Sequence, residues 1–320
     1  MVNMKILKEI DLEKKIKEFF KGTMQVNAPL KAYTSIKIGG TAKFLFIPCD
    51  IDDLSNLVNF LNSLSIPIFI IGGGSNLLIS DEHLEAAVVK LDAAFFNKIY
   101  RDGNTVFCGA GVLIAKLVEF TKNEGLSGCE FLAGIPGTVG GALVMNAGVR
   151  GLGSSKSKEF HWMADILKKV QFMDKEGNLF WQEKEKCEFG YRHSNLKENI
   201  ILGACFKLKP EAEQNIKHNF KKFIERKRMS QELSRPNAGC MFKNPEDSPL
   251  TAGELIDRCQ LKGRAIGDAQ ISSIHANFII NCGRASFQQV KALMQMIKDK
   301  VYTEYSVRLK EEVEIWEKTV

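Results

Sequence analysis

Three stretches of the chain gather residues that can do chemistry. In PNAGCMFKNP, Pro236 to Pro245, one thiol, Cys240, stands between small residues and a Lys-Asn pair. A free thiol has a pKa of about 8.5, so at neutral pH it is mostly protonated and can donate that proton. Asn237, Ala238 and Gly239 let the turn-like backbone bring it close to a reacting atom. The eight cysteines, at 49, 108, 129, 187, 205, 240, 259 and 282, form no Cys-x-x-Cys pair. That argues against zinc, and no metal is expected.

The other two stretches are rich in glycine: IIGGGSNLL (70–78) and LAGIPGTVGGALVMNAG (132–148). Missing Cβ atoms and accessible positive φ let backbone N–H groups converge on an anion, and a pyrophosphate is the obvious guest. Tight turns alone would also use glycine, but two such segments, one ending in Ser-Asn and one holding Pro136 and Thr138, weigh against that. Neither carries the G-K-[ST] of a P-loop or a clean G-x-G-x-x-G opening a helix. The pattern implies a dinucleotide held by another arrangement.

The elements that must position these residues follow from periodicity. A helix is expected from Leu12 to Phe20, ended by Gly22, and a strand over 42–48, closed by Pro48. A helix over 52–64 has Leu54, Leu57, Val58 and Leu61 on one face and Asp52 or Asp53 as its cap. IPIFII then runs as a buried strand into the first glycine segment, completing a small α/β unit. From Ala86 to Leu208 short strands dominate, broken by one helix at LIAKLVEFTKNEG, and 149–161 reads as a surface loop. After Pro210 come a basic helix (about 214–228), the Cys240 motif, the short helix GELIDRCQ, the strand ANFIINC, a long helix (about 286–304) and a closing strand, RLKEEVEIW. The expected division is 1–85, 86–210 and 211–320, with the strand near 308–315 returning to the first unit.

Composition narrows the class. The chain has 320 residues, 44 basic against 38 acidic side chains and a formal charge of +6, spread without a dense basic block. That suits an anionic small substrate and gives no support to nucleic-acid binding. Apolar runs are far shorter than a membrane span, and no secretory signal opens the sequence. A cytoplasmic protein with free thiols is expected, as a monomer.

Seven motifs occur in one order: TSIKIGGTAKFLFIP, IIGGGSNLLISD, LAGIPGTVGGALVMNAG, FGYRHS, NAGCMFKNP, LIDRCQLKG and LKEEVEI. In that order the chain resembles the UDP-N-acetylenolpyruvoylglucosamine reductases, bacterial flavoenzymes of peptidoglycan precursor synthesis, from Thr34 to Ile315. It is similar to their shorter form, which lacks an inserted tyrosine-bearing loop. The resemblance implies an α+β chain: an FAD-binding fold of the vanillyl-alcohol-oxidase (PCMH) type in two α/β subdomains, then a C-terminal α+β substrate-binding domain. It implies FAD against Gly72, Gly73, Gly74, Ser75, Asn76, Gly134, Pro136, Gly137, Thr138, Gly140 and Gly141, with NADPH as co-substrate. The enolpyruvyl UDP-sugar would receive hydride at C3 and a proton at C2. Another flavin oxidoreductase of the same fold is the alternative, and NAGCMFKNP and LIDRCQLKG weigh against it.

Matched motif by motif, the resemblance puts the catalytic arginine at Arg192, the catalytic glutamate at Glu312 and the proton donor at Cys240, where the family pattern has serine. Arg228, Asn244 and Lys262 fall where the substrate's phosphates and neighbouring groups are contacted. The residue types suit the chemistry. Hydride addition at C3 drives charge onto the substrate carboxylate, which a permanently charged arginine stabilises and a carboxyl can assist. His193 would point away from Arg192 as its strand neighbour. His275 and Cys259 read as packing residues of the C-terminal unit.

Overall fold

The computed structural model describes residues 2–152, 160–232 and 234–317, without the side chains of 2–10. The first helix runs from Val2 to Phe19, ten residues further upstream than expected at its start, because VNMKILKEI continues in good helix formers. It packs on the helix Ile51–Ser63, with the Phe19 and Phe60 rings 5.1 Å apart.

That second helix is capped by Asp50, whose side chain accepts from the Asp53 N–H at 2.8 Å; the expected caps, Asp52 and Asp53, lie inside its first turn. Asp53 is buried. It takes three backbone N–H groups instead, from Lys21, Gly22 and Cys49, at 2.9, 2.9 and 3.0 Å. A carboxylate at a helix N-terminus has favourable dipole energy to spare for such loop donors.

The first sheet has the strand order Thr23–Pro29, Thr41–Ile47, Leu84–Lys90, Ile68–Ile71. Its first pair is antiparallel, and the other two pairings are parallel. The division expected after residue 85 therefore falls inside a strand of this sheet. AAVVKL opens no new unit, because its buried face completes the first core. The second sheet is antiparallel throughout, in the order 179–183, 167–173, 200–207, 105–109, 99–102. Phe44, Phe46, Val106 and Phe206 are nearly fully buried in one core that joins the two units. Each such side chain contributes about 1.5–3 kcal/mol.

The third sheet, 237–240, 278–281, 269–271, 265–266, is covered by the helix Phe287–Tyr305, with the short helix Ala252–Arg258 beside it. Val290, Leu293 and Ile297 of the long helix are fully buried there. The closing strand is shorter than RLKEEVEIW: Glu314–Trp316 pairs in parallel with Leu77–Ile79, so the chain does return to its first unit. The stretch 149–161 is not simply a loop. Gly148–Arg150 and Phe160–Trp162 pair as a hairpin, and 153–159 lie outside the described residues. Among the described residues no helix is long and apolar enough to cross a membrane.

Candidate active site

The two glycine segments meet face to face. A Cβ on Gly73 would lie 2.6 Å from the Gly137 Cα, and one on Gly72 would lie 2.5 Å from the Thr138 Oγ1. The Ser75 hydroxyl donates to the Pro136 carbonyl at 3.2 Å. Glycine at 73 and 137 is thus dictated by the contact between the loops, and Gly74, at φ +62°, by the Tyr33 carbonyl beneath it. Among the described residues the N–H groups of Gly72 to Asn76 donate no hydrogen bond to the protein, nor do those of Gly137 and Thr138. Unspent donors gathered at a glycine crossing suit a pyrophosphate, so the chain's own backbone fits a dinucleotide cofactor.

The Asn76 side chain has another task. Its Nδ2 donates to the Glu312 backbone carbonyl at 3.0 Å, while the Asn76 backbone carbonyl accepts from the Glu314 N–H at 2.9 Å. This ties the first glycine segment to the closing strand and fixes the height of Glu312.

Cys240 ends the strand Asn237–Cys240, which faces Phe278 across a bulge at Ala238 and Gly239. What reads as a turn in sequence is therefore a bulged strand, with Gly239 at φ +77° supplying the kink. Asn237 holds it from below, its side chain accepting from the Gly239 N–H at 3.0 Å. The Met241 N–H donates to the Asn277 carbonyl and the Glu312 N–H to the Met241 carbonyl, at 2.9 and 2.8 Å. The thiol and the carboxylate thus share one short backbone ladder.

Arg192 sits in the two-residue loop of the hairpin formed by 189–190 and 193–194, not in a strand. Its φ of +54° is rare for an L-residue. Asn146 Nδ2 donates to the Gly190 carbonyl at 3.1 Å, and Ser194 Oγ donates to the Val144 carbonyl at 2.8 Å, which pins both sides of the turn. The guanidinium is aimed inward, Nε to Glu312 Oε1 at 2.6 Å and Nη1 to the Gly148 carbonyl at 3.0 Å. The pair is 24% and 11% exposed, so solvent still reaches the arginine. His193, in the strand 193–194 and paired with Gly190, is exposed.

Burial pushes the Cys240 thiol up to about 12, and the Glu312 charge adds to the shift. Burial also raises Glu312 above the ordinary carboxyl range, against the pull of Arg192. Lys227 is lowered to about 8 by burial, and its ammonium donates to the Gly134 carbonyl. The site thus keeps its thiol protonated beside one arginine and one carboxyl whose charge is disfavoured.

Of the remaining expected contacts, Asn244 is at the edge of this cluster. Its N–H donates to the Tyr191 hydroxyl at 3.3 Å, and its Oδ1 accepts from the Ala252 N–H at 3.1 Å. Lys262 is paired with Asp257 at 2.9 Å, and Arg228 lies on the exposed face of the helix Glu213–Ser230. Neither touches Arg192, Cys240 or Glu312 through any described contact. Tyr191, Lys227 and Asn277 were missed by sequence reasoning; Tyr191 was the legible one, as the neighbour of Arg192 in FGYRHS. His275 packs on Phe278, ring centroids 4.6 Å apart, and Cys259 is buried in the C-terminal core, both as expected.

The fold and the paired glycine loops define a flavoprotein, and residues 42–182 match the family model described as an FAD binding domain. Residues 231–316 match that of the UDP-N-acetylenolpyruvoylglucosamine reductase C-terminal domain. The chain belongs to the UDP-N-acetylenolpyruvoylglucosamine reductase family. It is 38% identical to the reductase of Halalkalibacterium halodurans, covering 92% of this chain and 94% of that one. It is 39% identical to that of Alkaliphilus oremlandii, covering 91% and 92%. The crystal structure of the Thermus caldophilus reductase superposes with a TM-score of 0.76 at 33% identity, over 93% of this chain and all of that one.

The crossing of the glycine loops makes a separable prediction. Gly73→Val drives a side chain into Gly137 and is expected to lower Tm and flavin content together. At Gly141 a Cβ meets only Thr138 Oγ1, at 3.6 Å, so Gly141→Val is expected to weaken FAD binding at unchanged Tm. Melting curves and bound-flavin absorbance of the two variants decide it. Full flavin occupancy in both removes the pyrophosphate from this crossing.

Proposed function

We infer that Arg192, Glu312 and Cys240 are the groups with which this flavoenzyme reduces UDP-N-acetylenolpyruvoylglucosamine to UDP-N-acetylmuramate, NADPH being the reductant. The observation that carries the assignment is the convergence of the three from separate elements: a hairpin loop, a bulged strand and the segment before the closing strand. FAD, when bound, supplies the hydride. The chain's own residues do the rest. Arg192 spends Nε and Nη1 on Glu312 and Gly148, which leaves its Nη2 edge for the substrate carboxylate. Charge that builds on that carboxylate meets a cation already oriented, so little reorganisation is needed. Cys240, neutral by burial, gives its proton to C2.

In the same reading, Gly72 to Asn76, Gly134, Pro136, Gly137, Thr138, Gly140 and Gly141 border the FAD pyrophosphate. Arg228, Asn244 and Lys262 serve the UDP-sugar; the exposure of Arg228 leaves it for long-range attraction of phosphate. The first flavin-binding unit runs to Lys90 and takes in Glu314–Trp316; the second runs on through the helix Glu213–Ser230, whose Phe223 is buried in its core, so the substrate-binding unit starts at Gln231 and not at Glu211. The enzyme works in the cytoplasm as a monomer, on small molecules and not on nucleic acid.

The test is spectral. The purified protein is expected to be yellow, to bleach with NADPH without oxygen, and to regain its colour when the enolpyruvyl UDP-sugar is added. Bleaching by an alcohol, with colour returning only in oxygen, would favour an oxidase of the same fold. A colourless protein that takes up no FAD would end the flavin reading.

A further inference from the structure

Ser35, in the segment between the short 3-10 turn Leu30–Tyr33 and the strand Thr41–Ile47, touches both halves of the site. Its N–H donates to the Gly74 carbonyl at 3.0 Å, in the first glycine segment. Its hydroxyl donates to the Asn237 carbonyl at 2.6 Å, at the start of the strand that ends in Cys240. The same hydroxyl stands 3.3 Å from the Gly74 carbonyl, but its one proton goes to the shorter bond.

The Cys240 strand depends on such an anchor. Its register against 278–281 slips between Asn237 and Cys240, and nothing lies within 4 Å of where a Gly239 Cβ would stand. A bulge gives up regular ladder bonds, so other anchors decide where the thiol stands. Asn237 supplies the local ones, accepting from the Gly239 N–H and donating to the Glu232 and Arg235 carbonyls at 3.1 and 2.8 Å. All of these stay within residues 232–239, whereas the Ser35 bond crosses to the flavin side. The neighbouring strand is tied separately: the buried Asn281 donates from Nδ2 to the Ile36 carbonyl at 3.0 Å. The units therefore stay docked without the Ser35 hydroxyl, whose loss frees the bulged strand and not the fold.

Ser35 also closes a ring of hydrogen bonds. From Gly74 the ring runs to Asn76, to Glu312, to Met241 and Cys240, and back through Asn237 to Ser35. Glycine segment, carboxyl and thiol share that frame. We propose that Ser35 is a positioning residue of the reaction: its hydroxyl on Asn237 sets where the Cys240 thiol stands relative to the flavin loop. The proposal rests on the reading of Cys240 as proton donor.

The test is a double-mutant cycle on the holoenzyme, with both half-reactions followed by stopped flow. Ser35→Ala keeps the N–H on Gly74, so flavin content is expected to be unchanged and reduction by NADPH to stay within about twofold. Reoxidation by the enolpyruvyl substrate should slow about 3- to 10-fold, the scale of one net hydrogen bond. Independently of turnover, alkylation of Cys240 by iodoacetamide, read by peptide mass spectrometry, should quicken by a similar factor as the strand gains play. Ser35→Thr, which keeps the hydroxyl, should restore both. Ser35→Cys, with a weaker donor, should fall between serine and alanine, and it decides the matter if the alanine variant does not fold. Beside Cys240→Ala, Ser35→Ala should cost nothing further, because no thiol is left to place. Normal reoxidation with unchanged alkylation in Ser35→Ala, equal slowing of both half-reactions, or a loss that persists in full beside Cys240→Ala overturns the proposal. Normal reoxidation in Cys240→Ala alone would instead remove the proton-donor reading, and Ser35 would have no donor to position.

Discussion

Arg192→Lys is expected to slow return of oxidised flavin by the enolpyruvyl substrate about 10²–10³-fold, the scale of losing one oriented donor to a developing oxyanion. Reduction of the flavin by NADPH should be largely spared. Lysine keeps the charge but not the fork. The native side chain reaches Glu312 with Nε and Gly148 with Nη1 while presenting a further edge inward, and one ammonium cannot hold those directions together. The turn that carries it, at φ +54°, keeps its anchors from Asn146 and Ser194 in the variant, so the fold should be unchanged. Stopped-flow measurement of the two half-reactions decides it. Equal slowing of both would make Arg192 a structural residue.

Cys240→Ala should reduce its flavin at the normal rate and then stall, losing about 10²–10⁴-fold in the substrate half-reaction, as when a general acid is removed. Cys240→Ser should keep substantial turnover, because a hydroxyl on the same bulge offers its proton from nearly the same place. The thiol's ordinary pKa would place an alkaline loss of activity near pH 8.5. Its surroundings remove that limb: burial, reinforced by the Glu312 charge, raises it to about 12. A raised acid stays protonated as pH climbs through its free value, so the reoxidation profiles of wild type and Cys240→Ser should superimpose up to about pH 10. A limb near 8.5 in wild type that the serine variant lacks would show a solvated thiol. Near wild-type reoxidation in Cys240→Ala would show that water or another group delivers the proton.

Much of this was legible in the chain because local pattern and final structure agree. The helix 51–63 buries the leucines its spacing marked, and Gly73 and Gly137 are glycine for a reason of contact. What the sequence hid was set by partners distant along the chain. Asp53 looks like a cap and is instead an acceptor for Lys21, Gly22 and Cys49, three donors that only the fold assembles. The strand Leu84–Lys90 has the apolar run of any buried strand, and nothing local says to which sheet it belongs. Lys227 reads as one more base on a basic helix; only docking against Gly134 turns it inward. Arg192 was found by its motif, but its left-handed turn follows from Gly190 and Ser194 being held by residues some fifty positions earlier.

The parallel pairing of Leu77–Ile79 with Glu314–Trp316 also orders events in time. A ribosome delivers the first of these strands long before the second, and units tend to fold as they emerge. Through most of synthesis the nascent protein therefore carries an open strand edge, and Asn76 waits beside it with no Glu312 carbonyl to hold. The contact that brings Glu312 beside the Cys240 strand forms late, when Glu312 emerges and its N–H reaches Met241. A chain that ends before Glu314 lacks the strand with which Leu77–Ile79 pairs, whatever the state of its glycine crossing.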